Sequence, residues 1–198
     1  MRASAIILAG GRSSRMGGTD KAFMRVGGRP VIDRSLTLLQ EMFDEVILVT
    51  NSPDKYAGFW GVRVVTDIVP HMGPLAGLFS GILHASSEQV FAVACDMPFL
   101  RREPIAFLQS VLAAADSVDA VVPIWDADVE PLHAFYRTRV AAVAERLLRR
   151  GNNGLRELLA AIKVRYVPEE SLLRVPGAEE TFRNVNTPAD AARFAVEV

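Results

Sequence analysis

Short, almost wholly apolar runs alternate with amphipathic helical stretches along this chain, and that alternation constrains the fold more than any other feature. Residues 4–8 (SAIIL), 45–50 (EVILVT) and 90–94 (VFAVA) lack the apolar–polar alternation of a strand with one wet face. They read as strands buried on both faces. Residues 63–66, 120–122 and 164–167 read as shorter strands, and 134–136 as a further one. Between them the apolar period lengthens to that of a helix. Residues 31–43 carry Ile32, Leu36, Leu39 and Phe43 on one stripe, and residues 74–85 carry Leu75, Leu78, Phe79, Ile82 and Leu83. Residues 103–114, 140–149 and 155–162 are helical on the same grounds. Thr187 as N-cap, Pro188 at the first helical position and Asp190 in the first turn open a last helix. The pattern predicts an α/β protein: a mostly parallel sheet with helices on both faces.

Composition narrows the function classes. The 198 residues suit one domain, 1–198, with a core large enough to need no covalent staple. Lys plus Arg number 22 and Asp plus Glu 23, a net charge of −1. Such a chain has no gross attraction for nucleic acid or an acidic membrane. A single cysteine, Cys95, excludes an intramolecular disulfide, and three scattered histidines give no zinc spacing. No apolar run is long enough for a signal core or a membrane span, so a cytoplasmic protein is expected.

In a parallel sheet the ligand crevice lies at the carboxyl ends of the strands. That prior selects the residues after Leu8, Thr50, Thr66 and Ala94: the segment 10–21, Asn51, Asp67 and Asp96. The first is glycine-rich and cationic, LAGGRSSRMGGTDK over residues 8–21. Its glycines let backbone N–H groups approach an anion, and Arg12, Arg15 and Lys21 with Ser13 and Ser14 suit a triphosphate. Asp20 and Ala22 flank Lys21, so the Walker-type phosphate loop is excluded; the G-x-G-x-x-G dinucleotide fingerprint is also absent. A solvated basic loop is the alternative.

The segment resembles the signature L-A-G-G-x-x-x-R-M-G-x-x-D-K of the molybdenum cofactor guanylyltransferases, members of the nucleotidyltransferase superfamily. Further matches follow in order: Gly73-Pro74-Leu75-Ala76-Gly77, Cys95-Asp96-Met97-Pro98 and Asn184-Val185-Asn186-Thr187-Pro188, with Glu130-Pro131-Leu132-His133-Ala134 less specific. The resemblance implies a three-layer Rossmann-like nucleotidyltransferase fold. It implies transfer of GMP from GTP to the phosphate of molybdenum-bound molybdopterin, giving the guanine dinucleotide cofactor and pyrophosphate. Asp96 resembles the family's metal-binding aspartate, with Mg²⁺ as cofactor, because a hard cation bridging a triphosphate takes carboxylate oxygen. Arg15 and Lys21 then stabilise charge, Leu8, Ala9, Gly10, Gly11, Asn51, Asp67 and Gly73 contact the nucleotide, and Asn184 and Asn186 lie toward the acceptor. A molybdate-insertion protein and apo-molybdoenzymes are the partners implied.

Each assignment has a plainer counterpart. Asp96 in Asp-x-Pro is turn chemistry, and so are Asn51 and Asp67. Gly77 and Gly81 serve close helix–sheet packing, and Cys95 and His133 read as packing residues. Arg146, Arg149 and Arg150 read as a solvated helix end, with an acceptor phosphate as the weaker alternative. Rival functions are a molybdopterin cytidylyltransferase, a sugar-phosphate or isoprenoid-precursor nucleotidyltransferase, a GTP-binding module without turnover, and a dehydrogenase.

Overall fold

The computed structural model describes residues 2–9, 21–69, 72–183, 185, 190, 194, 196 and 197, without the side chains of Lys21 and Glu197. The central strands are β1 (Ser4–Leu8), β4 (Glu45–Val49), β5 (Arg63–Val65), β6 (Gln89–Ala94), β7 (Ala120–Trp125), β9 (His133–Arg137) and β10 (Val164–Val167), in the order β10-β7-β9-β6-β1-β4-β5. The small strands β2 (Arg25–Val26), β3 (Arg29–Pro30) and β11 (Val196–Glu197) form a second sheet. β8 (Asp128–Val129) pairs with β7.

β1 is parallel to both β4 and β6, β4 to β5, and β7 to β10. β9 is antiparallel to both its neighbours, β6 and β7, so the sheet is mixed. That one reversal decides which residues reach the crevice.

Every residue of β1 is buried, and the alternation of Cβ directions divides them between two cores. Ala5 and Ile7 join the layer under α1 (Val31–Met42) and α3 (Arg102–Ala113), with Leu36, Leu39, Ile105 and Leu108. Ile6 and Leu8 join the opposite layer under α2 (Gly73–His84), α4 (Ala141–Arg149) and α5 (Leu155–Ala161), with Leu75, Leu78, Leu148 and Leu158. Helices on both faces of a mostly parallel sheet give the three-layer α/β arrangement expected. The single-turn helices α6 (Glu169–Leu172) and α7 (Ala178–Thr181) continue the first layer. Of the last helix, the described residues give Asp190 in helical conformation and the amide of Phe194 donating to the carbonyl of Asp190 at 3.0 Å.

α2 lies unusually close to β1, and its glycines are the reason. An added Cβ at Gly81 would stand 2.5 Å from Cγ2 of the fully buried Ile6. Gly81→Ala therefore sets a helix-propensity gain of about 1 kcal/mol against an overpacking cost of roughly 1–3 kcal/mol. Because Ile6 is fully buried, we expect a lower urea midpoint for Gly81→Ala and a still lower one for Gly81→Val. An unchanged midpoint for Gly81→Val would mean that this contact is not tight in solution.

Candidate functional site

Leu8, Ala9, Asn51, Asp67 and Asp96 come together at one edge of the sheet, the carboxyl ends of β1, β4, β5 and β6. Backbone bonds set their spacing. The amide of Ala9 donates to the carbonyl of Val49 at 2.9 Å, and that of Thr50 to Val65 at 3.0 Å. The amide of Cys95 donates to the carbonyl of Leu8 at 3.2 Å. The turn that carries Asp96 is thus fastened to the residue from which the glycine-rich segment departs.

Asn51 and Asp67, selected separately in the sequence, are a pair. The Asn51 amide donates Nδ2–H to Asp67 Oδ2 at 2.9 Å. The Asp67 loop is held from behind by α2: Ser80 Oγ accepts from the amide of Ile68 at 2.9 Å and donates to the carbonyl of Ala76 at 2.8 Å. Gly77 belongs to the same contact, since a Cβ there would meet Leu8 Cδ2 at 3.2 Å and Asp67 Oδ1 at 3.4 Å. Gly73 opens α2 with φ +74°, a conformation that favours glycine, and a Cβ would press on the Asn153 carbonyl at 3.3 Å. Pro74 consequently stands second in the helix.

Lys21 opens a short 3₁₀ turn, Lys21–Phe23, anchored by the fully buried Ala22. Its side chain lies outside the described residues, as do Gly10, Gly11, Arg12, Arg15, Asn184 and Asn186. Cys95 follows β6 instead of lying on it, is half-buried, and packs at the border of the first core layer. Arg149 pairs with Glu145 at 2.6 Å and Arg146 donates to the carbonyl of Ala142, the behaviour of a solvated helix end.

One residue with no role in the sequence reading belongs here. Because β9 is antiparallel to β6, its entry segment lies at the same edge as Asp96. Val93 is opposite His133 in the register, and the amide of Ala94 donates to the carbonyl of Leu132 at 3.2 Å. Tyr136 Oη donates to the Pro131 carbonyl at 2.8 Å, and the Glu130 amide to the Pro123 carbonyl at 2.9 Å. The turn Asp126-Ala127 between β7 and β8 has positive φ at both residues (49° and 62°), which matches a type I′ hairpin without glycine. These constraints bring Glu130 toward Asp96 and Asp128. Burial first, then the charges of Asp128 and Asp96, push its carboxyl up to about 7.

A carboxyl raised this way favours the folded state below its unfolded value, near 4.5, and loses that advantage as pH rises toward 7. Without divalent metal, Glu130→Gln should melt like the parent at pH 4.5 and at a clearly higher temperature at pH 8. Parallel melting curves at both pH values would show that Glu130 does not face the other carboxylates.

The donor set fits a hard divalent cation. Asp96 and Glu130 offer carboxylate oxygens whose mutual repulsion a cation would relieve. Among the described residues no group of three or more His, Cys, Asp or Glu side chains could hold a metal by itself. Two carboxylates completed by substrate phosphates and water is the usual Mg²⁺ arrangement.

Residues 5–167 match the family described as the MobA-like NTP transferase domain. The chain belongs to that family. A probable molybdenum cofactor guanylyltransferase of Peptoclostridium acidaminophilum is 35% identical over 196 residues, covering 97% of this chain and 88% of the relative. The molybdenum cofactor guanylyltransferase of Desulfosudis oleivorans is 36% identical over 183 residues, 92% and 89% of the two chains. The crystal structure of molybdopterin-guanine dinucleotide biosynthesis protein A from Archaeoglobus fulgidus superposes with a TM-score of 0.84 at 25% identity, covering 96% of each chain. This MobA-like chain is a nucleotidyltransferase, and by name these relatives are enzymes of molybdenum cofactor biosynthesis. Among the described residues no helix is long and apolar enough to cross a membrane.

Proposed function

We propose that the enzyme transfers GMP from GTP to the terminal phosphate of molybdenum-bound molybdopterin, releasing pyrophosphate and forming the guanine dinucleotide cofactor. The observation that carries the reading is the backbone bond from Cys95 to Leu8. It sets a carboxylate beside the start of the glycine-rich cationic segment, as transfer from a metal-bound triphosphate requires. The names of the relatives supply the donor and the acceptor. With GTP as donor, the reading assigns the work to the cytoplasm, and delivery to apo-molybdoenzymes follows from the product.

An oxygen of the acceptor phosphate attacks the α-phosphorus in line, the bond to the β-phosphate oxygen breaks, and pyrophosphate leaves. No covalent enzyme intermediate is needed, so the protein's work is positioning and charge stabilisation. Asp96 would hold Mg²⁺ with Glu130 beside it. Bound there, the ion would supply charge neutralisation for the triphosphate. Arg15, Lys21 and the amides of Gly10 and Gly11 stabilise the charge that accumulates on the leaving pyrophosphate. Leu8, Ala9 and Gly73 shape the nucleoside seat, and the Asn51-oriented Asp67 carboxylate accepts from the N1–H and N2–H donors of guanine. Asn184 and Asn186 contact the acceptor.

The test is transfer to molybdopterin with Mg²⁺ and each of GTP, CTP and ATP, the dinucleotide product being separated and weighed. GTP should be strongly preferred, since a base lacking the two donors leaves a buried acceptor unpaired. Gly10→Ala should narrow the gap by taking room from the purine. A preference for CTP overturns guanine as the base and leaves nucleotidyl transfer standing; no product with any nucleotide overturns the acceptor.

A further inference from the structure

Beyond the crevice, a second polar cavity of about 280 Å³ opens between α1 and the segment that continues from Asp96 through Pro98 and Leu100 to Arg101. Three arginines line it, Arg29, Arg34 and Arg101, against one carboxylate, Glu41. That carboxylate is engaged, with its Oε2 2.7 Å from Nη2 of Arg102. Arg29 is engaged too, donating from Nε and Nη2 to Asp33 at 3.1 and 2.7 Å.

Arg34 and Arg101 are different. The Nε of Arg34 is buried and has no hydrogen-bond partner among the described residues, a state that costs free energy until an acceptor arrives. Arg101 is held at its backbone and along its aliphatic stem. Its amide donates to Thr181 Oγ1 at 2.7 Å. Its aliphatic stem crosses Gly177, where φ is +76° and a Cβ would come within 2.7 Å of Arg101 Cγ. A left-handed glycine clears the path of this side chain's stem, which directs the exposed guanidinium to the cavity rim. No side-chain ion pair is formed by Arg34 or Arg101 among the described residues.

We propose that this cavity is an anion site for a phosphate group, either the free ion or a phosphomonoester on a small molecule. Two guanidiniums with fixed forks match the acceptor oxygens of a phosphate. The volume lies at the small end of ligand sites, which suits a compact anion. The site shares no residue with the nucleotide crevice. It abuts the strand of backbone that carries Asp96, so its occupant bears on the segment 96–101.

The probe is inorganic phosphate added to the full chain without metal or nucleotide, read by ¹H–¹⁵N correlation of the arginine Nε–H groups. Loss of a peak in Arg34→Gln and in Arg101→Gln assigns the two resonances. Both should shift saturably, and each substitution should weaken binding by roughly tenfold or more, the weight of one charge-assisted contact. Arg101 is exposed, so Arg101→Gln keeps the test valid should Arg34→Gln fold poorly. Glycerol 3-phosphate in place of phosphate separates the two sources: tighter binding identifies a monoester, equal or weaker binding the free ion. The absence of a saturable shift at both Nε–H groups overturns the proposal. So does a titration that Arg101→Gln leaves unchanged.

Discussion

Asp96→Asn is expected to fold normally and to lose nucleotidyl transfer by on the order of 10³-fold in kcat, the scale seen when a preorganised charge-stabilising group is removed. The argument is electrostatic. Asp96 sits at the carboxyl end of β6, in a turn fastened to Leu8 and next to a second carboxyl already pushed up to about 7 by burial and its acidic neighbours. In the proposed reaction Asp96 and Glu130 would hold a divalent cation, which would offset the charge of the two carboxylates and the triphosphate. Asparagine keeps the shape and removes the charge that draws the cation in. Excess Mg²⁺ should restore little, because the defect is stabilisation in the transition state and not only occupancy. A second readout separates this from misfolding: the Asn variant should melt at or above the parent's thermal midpoint in EDTA, since it relieves repulsion on Glu130, while losing the upward shift that Mg²⁺ and GTP give the parent. Near-parental turnover of Asp96→Asn at saturating Mg²⁺ would remove Asp96 from the reaction.

The layered fold was legible because β1, β4 and β6 are apolar enough to require burial on both faces. The predicted strand and helix limits lie within a few residues of those observed. The crevice edge followed from the same reasoning, which is why Asn51, Asp67 and Asp96 are found together. What escaped was direction. The strand–helix alternation predicts a mostly parallel sheet without saying which strand is reversed, and were the strand at 134–136 parallel to its neighbours, the residue before it would lie at the edge opposite Asp96. β9 is instead reached from β7 through the tight β7–β8 hairpin and runs antiparallel to β6, which moves Glu130 to the crevice. The short distance in sequence between β7 and β9, too short for a crossover helix, was the available signal. The hairpin of β2 and β3 and the one-turn helices α6 and α7 carry too few residues for any period to register. The Asn51–Asp67 bond could not have been read from two residues so far apart in sequence.

His133→Phe is expected to make the protein markedly less sensitive to acid, and the reason lies in the antiparallel strand that repositioned Glu130. His133 is fully buried, with its ring edge-on to Phe91 at 5.1 Å and to Phe182 at 4.8 Å, and Phe182 stacks in turn on Trp125. Neither ring nitrogen has a hydrogen-bond partner among the described residues. Burial pushes its pKa down to about 3. The unfolded chain titrates near 6.5, so the folded state binds fewer protons between the two values. Stability is therefore complete above pH 6.5 and is lost as pH falls toward 3. The integrated loss is on the order of 5 kcal/mol, because each pKa unit corresponds to about 1.4 kcal/mol. A phenylalanine fits the surrounding aromatic cluster and carries no proton to bind. At pH 7 the exchange should cost little or even stabilise, since it removes two buried polar atoms without acceptors. At pH 4 the variant should be more stable than the parent by roughly 3 kcal/mol, a difference of about 300-fold in the folding constant. Urea unfolding at pH 7, 5.5 and 4 measures this directly as the variant-minus-parent difference, in which the acid losses of the carboxylates cancel. A difference that stays constant across that range would mean the imidazole accepts its proton without unfolding the core, and so reaches solvent or an acceptor.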